Sequence, residues 1–218
     1  IHSIQLSKGT GSVVNGFESI AGQINVEFIK PEEDKNLLNV FLNQEGRAEI
    51  NLNLVHKIKP RVHAATLLHT NGRPLKMDAN EDEFLDFPRS YMTTGFHRWT
   101  FHTLKGVEAA FGIKGLRQDQ IGGQKNFSIN DTRDTTSPYG LRIQTNRVEA
   151  FAKIGYVFPQ KRYQNFGFQL QGSWHDMDSY FGLRNYDAAQ YSFYSNFIYQ
   201  SIIGTTDNKF KTGASFQF

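Results

Sequence analysis

An acidic segment carries the most specific pattern of chemically capable side chains in this 218-residue chain. Oxygen-bearing side chains stand at relative positions 1, 3, 5 and 9 of the run 78–86, namely Asp78, Asn80, Asp82 and Asp86. Hard oxygen ligands on a tight loop are what Ca²⁺ requires, and the Phe84 carbonyl is available at position 7, so the spacing predicts a calcium site. The run departs from a calcium loop at position 6, where Glu83 stands, and at position 12, where Arg89 stands. A solvated acidic surface loop is the alternative.

The histidines do not show metal-ligand spacing. His63 and His69 fall on one strand face but are six residues apart, which is about 20 Å along a strand and too far for one metal ion. We interpret them, with His97, His102 and His175, as polar residues of a protein wall. The same interpretation covers other polar side chains, which would hydrogen-bond an enclosed domain or line a solute path: Glu49, Lys57, Arg61, Glu108, Lys114, Gln169 and Gln171.

No arrangement of residues for covalent or acid–base catalysis stands out, so we predict that the protein is not an enzyme. The aspartate pairs 176/178 and 131/134 lack an accompanying acid–base framework. The chain has no cysteine, which excludes a disulfide framework, a thiolate metal site and a cysteine nucleophile. The net charge of +3 is spread along the chain, and without a basic block it predicts no nucleic-acid partner.

From Leu37 onward, apolar and polar residues alternate with a period of two, which is typical of β-strands with two different faces. The alternation is clearest in 48–57, 61–69, 107–114 and 165–175, and noisier in 38–43, 91–103, 141–158, 187–200 and 209–218. We therefore predict an all-β chain with about nine strands and no helix.

Strand length and loop length distinguish two possible architectures. A soluble sandwich has strands of about 5–6 residues, whereas a transmembrane barrel needs about 9–11 and places aromatic residues at the interfaces. Most of the predicted strands reach ten residues, and aromatic residues stand at many of their ends. Tight turns at 58–60, 104–106 and 159–162 alternate with longer loops after residue 70, at 117–140 and at 176–186. This pattern, apart from a short turn at 45–46, predicts a transmembrane antiparallel β-barrel architecture for residues 37–218.

Residues 1–36 have a different composition, rich in small residues and glycine and closed by the charged stretch 30–35. A hydrophobic strand at 4–6, the turn Lys8-Gly9-Thr10-Gly11-Ser12, Gly16 and the run Ile20-Ala21-Gly22-Gln23-Ile24-Asn25-Val26 follow in order. This order resembles the end of the plug domain in TonB-dependent outer-membrane receptors. The sequence departs from the family pattern at Gln5, Lys8, Thr10 and Asn15.

The resemblance implies a division at residue 36. Residues 1–36 would be the C-terminal part of a plug domain and its linker, with Gly9, Gly11, Gly16 and Gly22 in the plug turns that serve folding and gating. Residues 37–218 would be barrel strands with long external loops. Because a family barrel has about twenty-two strands, we expect this chain to be a fragment of a longer one, located in a bacterial outer membrane.

In function, the resemblance implies active import of a scarce nutrient of the iron–siderophore, haem or cobalamin class. The small-molecule or metal-chelate ligand would bind the loops and plug apex, and a TonB-type inner-membrane energy-coupling complex would pull on the plug. Outer-membrane lipid and a surface lipoprotein would be further partners, and cobalamin receptors of the family, which order loops with calcium, add to the calcium prediction. The alternatives are a passive porin or adhesion barrel without a plug, and a soluble secreted β-sandwich that binds carbohydrate.

Overall fold

The computed structural model describes residues 3–9, 22–27, 35–103 and 105–218, and in these ranges the chain is all-β. None of them forms a helix that is long and apolar enough to cross a membrane. The strands are β1 (Ser3–Lys8), β2 (Gly22–Glu27), β3 (Leu37–Leu42), β4 (Ala48–Lys59), β5 (Val62–Arg73), β6 (Arg89–His102), β7 (Val107–Gly123), β8 (Gly140–Val157), β9 (Asn165–Phe181), β10 (Arg184–Asn185), β11 (Ala188–Ile202) and β12 (Lys209–Gln217).

The strands form two antiparallel sheets, which confirms the all-β prediction. β1 pairs with β2, from Ser3 opposite Glu27 to Lys8 opposite Gly22. The main sheet has the order β3-β4-β5-β6-β7-β8-β9-β11-β12, with the short β10 paired to β9. Its nine long strands agree with the predicted number, and each follows its sheet neighbour in the chain. Over the described residues the main sheet is open, with β3 and β12 at its edges.

Period-two alternation gives the main sheet two different faces, because successive side chains of a strand point to opposite sides while residues opposite each other on neighbouring strands share a side. Phe111, Ala152 and Leu170 form one row across β7, β8 and β9. We call the side of the sheet that carries this row the apolar face. The adjacent row, on the side that we call the polar face, consists of Ala110, Lys153 and Gln169.

The connections differ between the two ends of the main sheet. At one end, the turn end, they are short, and Gly106 there adopts a φ of +82°; they comprise residues 60–61, 103–106, 158–164 and 203–208. At the other end, the loop end, they include the two longest; they comprise residues 43–47, 74–88, 124–139 and 182–187. The predicted turn at 45–46 is present, with Gly46 at a φ of +72°.

Two predicted loops are wrong, because strands extend into them. β7 continues to Gly123, so the predicted loop 117–140 shortens to 124–139. β9 continues to Phe181 and pairs with β10, which places a strand and a tight hairpin where a loop at 176–186 was expected. In both extensions, the side of the sheet that is apolar elsewhere carries mostly polar residues. The alternation in hydropathy therefore ends in the sequence, although the strand pairing continues.

Burial is sparse in this architecture. Ala64 and Ala65 are each 3% exposed and Phe127 is 6% exposed, while no large side chain among the described residues is fully buried. The strands of the main sheet contact chiefly their own sheet neighbours. Over the described residues the main sheet is therefore a single layer, and both of its faces are accessible.

Candidate functional site

The polar face carries oriented hydrogen-bonding side chains on its first strands. His69 on β5 lies between two asparagines: its Nδ1 is 2.6 Å from Asn51 Oδ1, and Asn71 Nδ2 is 2.8 Å from its Nε2. With the asparagine amides in these orientations, Asn71 donates to Nε2 and the Nδ1 proton is donated to Asn51. Asn51 in turn donates from Nδ2 to Asn39 Oδ1 at 3.2 Å. The chain of contacts fixes polar groups across β3, β4 and β5.

Charged residues dominate the middle of the polar face. Glu149 on β8 accepts a hydrogen bond from Arg147 Nε, and its other oxygen lies 3.8 Å from Lys114 Nζ on β7. Beside them, the hydroxyls of Ser173 and Ser192 are 2.6 Å apart. Arginine, lysine and hydroxyl side chains on one accessible surface can bind a polar solute or the polar surface of another protein segment.

A shallow depression lies on the polar face near the turn end. Its volume is about 270 Å³, and its lining includes Glu108, Lys153 and Gln169. Gly155 and Gly167 lie opposite each other in its floor and also line it. Because two adjoining positions lack side chains, the sheet backbone is accessible to a group that enters the depression.

On the apolar face, the apolar residues form a continuous band, which we call the apolar band. Nine-residue segments carry it on three adjacent strands, in register with one another: Val107–Gly115 on β7, Val148–Tyr156 on β8 and Phe166–Trp174 on β9. Its side chains are exposed, among them Phe111 at 37%, Ile113 at 50% and Tyr191 at 68%. An apolar surface of this extent needs an apolar partner, because monomeric soluble proteins rarely expose one.

The limit of the apolar band at the loop end differs between β4 and β7. Ile50 on β4 lies in the same row as Arg117 on β7, by way of Thr70 and Thr93. On β4 this row carries an apolar residue that is 46% exposed, whereas on β7 it carries a charge. The band therefore extends nearer the loop end on β4 than on β7, while it keeps to the same rows on β7, β8 and β9.

Aromatic side chains stand at both limits of the apolar band. At the turn end, the ring of Tyr156 lies 4.9 Å from that of Phe158 and 5.6 Å from that of Phe166. At the loop end, Trp174 lies opposite Tyr191. Aromatic residues with a polar group favour boundaries between apolar and aqueous surroundings.

Charged residues begin immediately beyond the band on the loop-end side. Arg117, Asn146 and Asp176 form the next row of the apolar face. Further along, Arg142 donates from Nε and Nη2 to the two carboxylate oxygens of Asp119 at 3.0 and 2.6 Å. The hydrogen bond to Asp119 raises the pKa of the Arg142 guanidinium. This boundary was not predicted from the sequence, because it becomes visible only when the strands are placed in register.

The four predicted calcium ligands lie in the connection 74–88, where they are engaged with protein donors. Asp78 Oδ2 lies 3.3 Å from Lys125 Nζ, and Asp86 Oδ2 accepts from the Ala79 amide at 2.8 Å. Asn80 Nδ2 donates to Asp82 Oδ2 at 2.9 Å. Among the described residues, no three acidic or histidine side chains are grouped so that they could hold a metal ion. Calcium binding stays a prediction, and Lys125 would compete with the ion for Oδ2 of Asp78.

The two longest connections, 74–88 and 124–139, are joined to each other, and we call them the joined loops. The Leu85 amide donates to Gly123 O at 2.9 Å, and the Lys125 amide donates to Glu83 O at 2.8 Å. Phe84 and Gln124 form an isolated antiparallel bridge between these bonds. The two connections are thus linked directly by the Lys125–Glu83 backbone hydrogen bond, by a hydrogen bond from Lys76 Nζ to Lys125 O and by the Asp78–Lys125 ion pair, while the Leu85 bond ties 74–88 to the end of β7.

Two of the four predicted plug-turn glycines are described. Gly9 follows β1 with a φ of +84°, and Gly22 begins β2 with a φ of +151°. A Cβ at Gly22 would lie 2.8 Å from Ser7 O, so the pairing of β1 with β2 requires a glycine there. Gly11 and Gly16 lie outside the described residues. The gating role of all four, and the division at residue 36, stay predictions.

The histidines fall on both faces. His63 and His69 share the polar face, six residues apart on β5, as expected. His97 was expected to be a polar wall residue like them, but it lies on the apolar face. Its Nδ1 is 2.7 Å from Thr66 Oγ1, and its ring packs against Trp99. Because hydropathy alternates only weakly along β6, the sequence did not reveal this placement. The hydrogen bond to Thr66 on the neighbouring strand offsets the cost of placing a polar ring in apolar surroundings.

Comparison with known proteins identifies no relative: no family model, no curated protein and no solved structure matches this chain. The fold and the chemistry of the two faces therefore carry the functional interpretation.

Proposed function

We propose that residues 37–218 are part of the wall of a bacterial outer-membrane β-barrel, with lipid against the apolar band. The observation that carries the proposal is the register of the band, with nine-residue apolar segments on three adjacent strands and charged residues in the row beyond them. Nine residues span about 30 Å along a strand, or about 21 Å across a membrane at a tilt of about 45°. The apolar belt of outer-membrane barrels is about 25 Å tall.

The shift of the band's limit between β4 and β7 fits tilted strands. In a barrel the strands tilt by about 35–45° from the axis, so a belt parallel to the membrane crosses successive strands at different positions. The apolar position of Ile50, in the row that carries Arg117 on β7, fits this geometry. The aromatic side chains at the two limits of the band fit the interfacial girdles of such barrels.

A soluble β-sandwich is a weaker explanation of the same surface. In a sandwich, a second sheet packs about 10 Å away and covers the apolar side chains. Within the described residues no second sheet covers the apolar band, whose side chains, such as Ile113 and Phe197, are 50% and 43% exposed.

Within the barrel class, we favour TonB-dependent import over a passive porin. The support is the sequence resemblance of residues 1–36 to a plug end, together with the β1–β2 pair, which brings the two halves of that pattern side by side. In this proposal the nutrient is a small molecule or metal chelate, a TonB-type complex in the inner membrane supplies energy, and a surface lipoprotein can assist capture. Gating then needs no covalent chemistry, so the protein is not an enzyme.

Tryptophan fluorescence tests the membrane location directly, because both tryptophans, Trp99 and Trp174, lie on the apolar face. The full-length protein, with every tryptophan outside these 218 residues replaced by phenylalanine, would be reconstituted in vesicles whose phosphatidylcholine acyl chains carry bromine at shallow or deep positions. In the Trp174→Phe variant, the remaining Trp99, two rows inside the band, should be quenched most by deep bromines. In Trp99→Phe, the remaining Trp174, at the band's limit, should be quenched most by shallow ones.

A matched control places tryptophan on the polar face. In a background of Trp99→Phe and Trp174→Phe, a Gln171→Trp variant should escape bromine quenching and respond to acrylamide dissolved in water. Equal bromine quenching of all three positions, or none, would contradict a wall that separates lipid from water. Protein that remains soluble and monomeric without detergent would also contradict it.

Uptake assays separate active import from passive passage. Cells that produce the full-length protein would be supplied with labelled cobalamin, haem or ferric siderophores, with and without the energy-coupling complex. Accumulation of one of these nutrients only in coupled cells is the expected result. Accumulation that is equal in uncoupled cells would favour the porin alternative instead.

Protease digestion of the full-length protein tests calcium binding by residues 78–86. We expect calcium to protect the joined loops from protease, and an Asp82→Asn variant to lose that protection. Equal cleavage of the unsubstituted protein in calcium and in chelator would contradict a calcium site in 78–86.

A further inference from the structure

The polar face is strongly basic, although the whole chain carries a net charge of only +3. On the nine long strands, eight lysine and arginine side chains belong to the polar face: Lys57, Arg73, Arg98, Lys114, Arg147, Lys153, Lys209 and Lys211. Three carboxylates accompany them: Glu49, Glu108 and Glu149. Lys59, which lies beyond a register shift at the end of β4, is not assigned to either face.

The apolar face has no such excess. Its strands carry Arg89, Arg117 and Arg142 against Asp119, Asp176 and Asp178, so that three positive charges meet three negative ones. All six lie beyond the apolar band, in the rows towards the loop end. The excess of positive charge is therefore a property of the polar face.

Four of the cations form a regular series, which we call the cation ladder. Successive polar-face positions of β7 are Ala110, Gly112, Lys114 and Leu116. The rows through them contain, in order, Lys153 opposite Ala110, Arg98 opposite Gly112, Lys114 itself, and Arg147 opposite Leu116. Each step is two residues, about 7 Å along the strand. A cation thus stands at every step over the middle of the face.

Two of the three carboxylates of the polar face are already beside cations. Glu49 contacts Arg47, and Glu149 contacts Arg147 and lies 3.8 Å from Lys114. Glu108 lies 4.0 Å from the His102 ring. Lys153 is exposed and forms none of the ion pairs found among the described residues, and it borders the depression near the turn end. The positive field of the face is therefore only partly neutralised by its own acids.

We propose that the cation ladder makes the polar face selective for anionic solutes, so that the substrate class of the transporter is an anion. The inference rests on the proposed function, because it takes the polar face to line the solute path. A concave wall lined by one sign of charge focuses its field and raises the local concentration of the opposite ion. With the spacing between strands included, successive cations of the ladder are about 8–12 Å apart, so that an anion can pass from one to the next along the face.

Binding of a fixed-charge dye tests the proposal with the full-length protein in detergent. The probe is 8-methoxypyrene-1,3,6-trisulfonate, a trianion at all pH values, and its counterpart is the propidium dication. We expect the trianion to bind and the dication to bind more weakly. In Lys114→Gln/Lys153→Gln, affinity for the trianion should fall about tenfold at about 10 mM ionic strength and much less at 1 M.

A variant with the opposite effect guards against damage to the fold. Glu149→Gln removes the carboxylate that contacts Arg147 and Lys114, so the trianion should bind about threefold more tightly, a gain that misfolding would not produce. Arg117→Gln, which removes a positive charge from the other face, should leave the affinity unchanged.

The outcomes separate this inference from the membrane proposal. Protein whose tryptophans are quenched by brominated lipid, but which prefers propidium, would overturn the anionic substrate class alone. Equal losses in Arg117→Gln and in the double lysine variant would also overturn it, since the charge of the whole chain would then explain binding. Preference for the trianion with unquenched tryptophans would instead overturn the membrane location.

Discussion

The two faces of the main sheet are built from the same strands, yet they differ in chemistry along the whole length of the apolar band. Ala152 and Lys153 are neighbours in the chain, and one lies in the apolar band while the other belongs to the cation ladder. On the polar face, charges and amides contact one another across strands. On the apolar face, the side chains contact few partners and stay exposed. The comparison supports the proposed wall between lipid and water, since neither environment alone would suit both faces.

The largest expected effect comes from placing a charge in the apolar band. Ala152→Lys should lower the free energy of unfolding in phospholipid vesicles by about 2–4 kcal/mol, the cost of a cation at the middle of a bilayer. Its control is Gln171→Lys, on the polar face of the neighbouring strand, which should change stability by less than about 0.5 kcal/mol. Reversible urea unfolding measures both, and similar costs at the two positions would break the comparison.

A pair of glycines on β7 tests how tightly each face is packed. A Cβ on Gly112 of the polar face would collide with the ring of Phe151, whereas at Gly115 of the apolar face no atom lies within 4 Å. Gly112→Ala should therefore destabilise the protein by about 1–3 kcal/mol. Gly115→Ala should be neutral or stabilising by up to about 1 kcal/mol, because alanine restricts the unfolded chain. The midpoints of urea unfolding report both, and the reverse order would contradict this packing.

The Arg142–Asp119 ion pair lies on the apolar face beyond the apolar band, where the proposed barrel wall would meet water. Both side chains are about a quarter exposed, at 27% and 28%, so the ion pair is screened. Asp119→Asn should cost about 0.5–1 kcal/mol, and the loss should shrink as salt is raised. A cost of several kcal/mol that salt does not alter would place the pair inside the lipid and move the boundary of the band.

The smallest effect belongs to a loop outside both faces. Hydrogen bonds, above all from the Thr136 hydroxyl, lower the pKa of the Asp134 carboxyl. Because the folded pKa lies below the unfolded one, the contribution to loop stability is complete above the ordinary aspartate range near pH 4. It is lost as pH falls through the lower folded value.

Amide NMR resonances of Thr136 and Ser137 should therefore shift with an inflection below the ordinary aspartate range. The shift should be absent in Asp134→Asn. An inflection at or above the ordinary range would contradict the hydrogen-bonded carboxylate.

Sequence periodicity predicted the number of strands well but not their ends. The predicted segment 107–114 stops where the apolar band stops, while β7 continues to Gly123. Likewise, 165–175 covers the band on β9, which continues to Phe181. Alternation in hydropathy records the surroundings of a strand, whereas hydrogen bonding defines its length. Where both faces are polar, as around Arg117 and Asp119, the hydropathy alternation vanishes while the hydrogen bonding of the strand continues.

The polar and apolar faces were largely predictable, whereas the cation ladder and the charged boundary were not. Their members lie far apart in the chain, and only the register of β6, β7 and β8 places Arg98, Lys114 and Arg147 in successive rows. The acidic run 78–86 was visible in sequence because its spacing is local. Its ion pair with Lys125 was not visible, because forty-seven positions separate that lysine from Asp78.

Because the joined loops are linked to each other, we expect the loop end of the sheet to have fewer independently mobile connections than its number of loops suggests. Residues 74–88 and 124–139 share a backbone hydrogen bond, a hydrogen bond from Lys76 to the Lys125 carbonyl and an ion pair, so displacing one pulls on the other. We therefore expect the joined loops to move together, since their ends continue into the strands at Arg73, Arg89, Gly123 and Gly140. In the proposed transporter, a solute that contacts either loop would then also load the other, and through both loops the ends of β5, β6, β7 and β8.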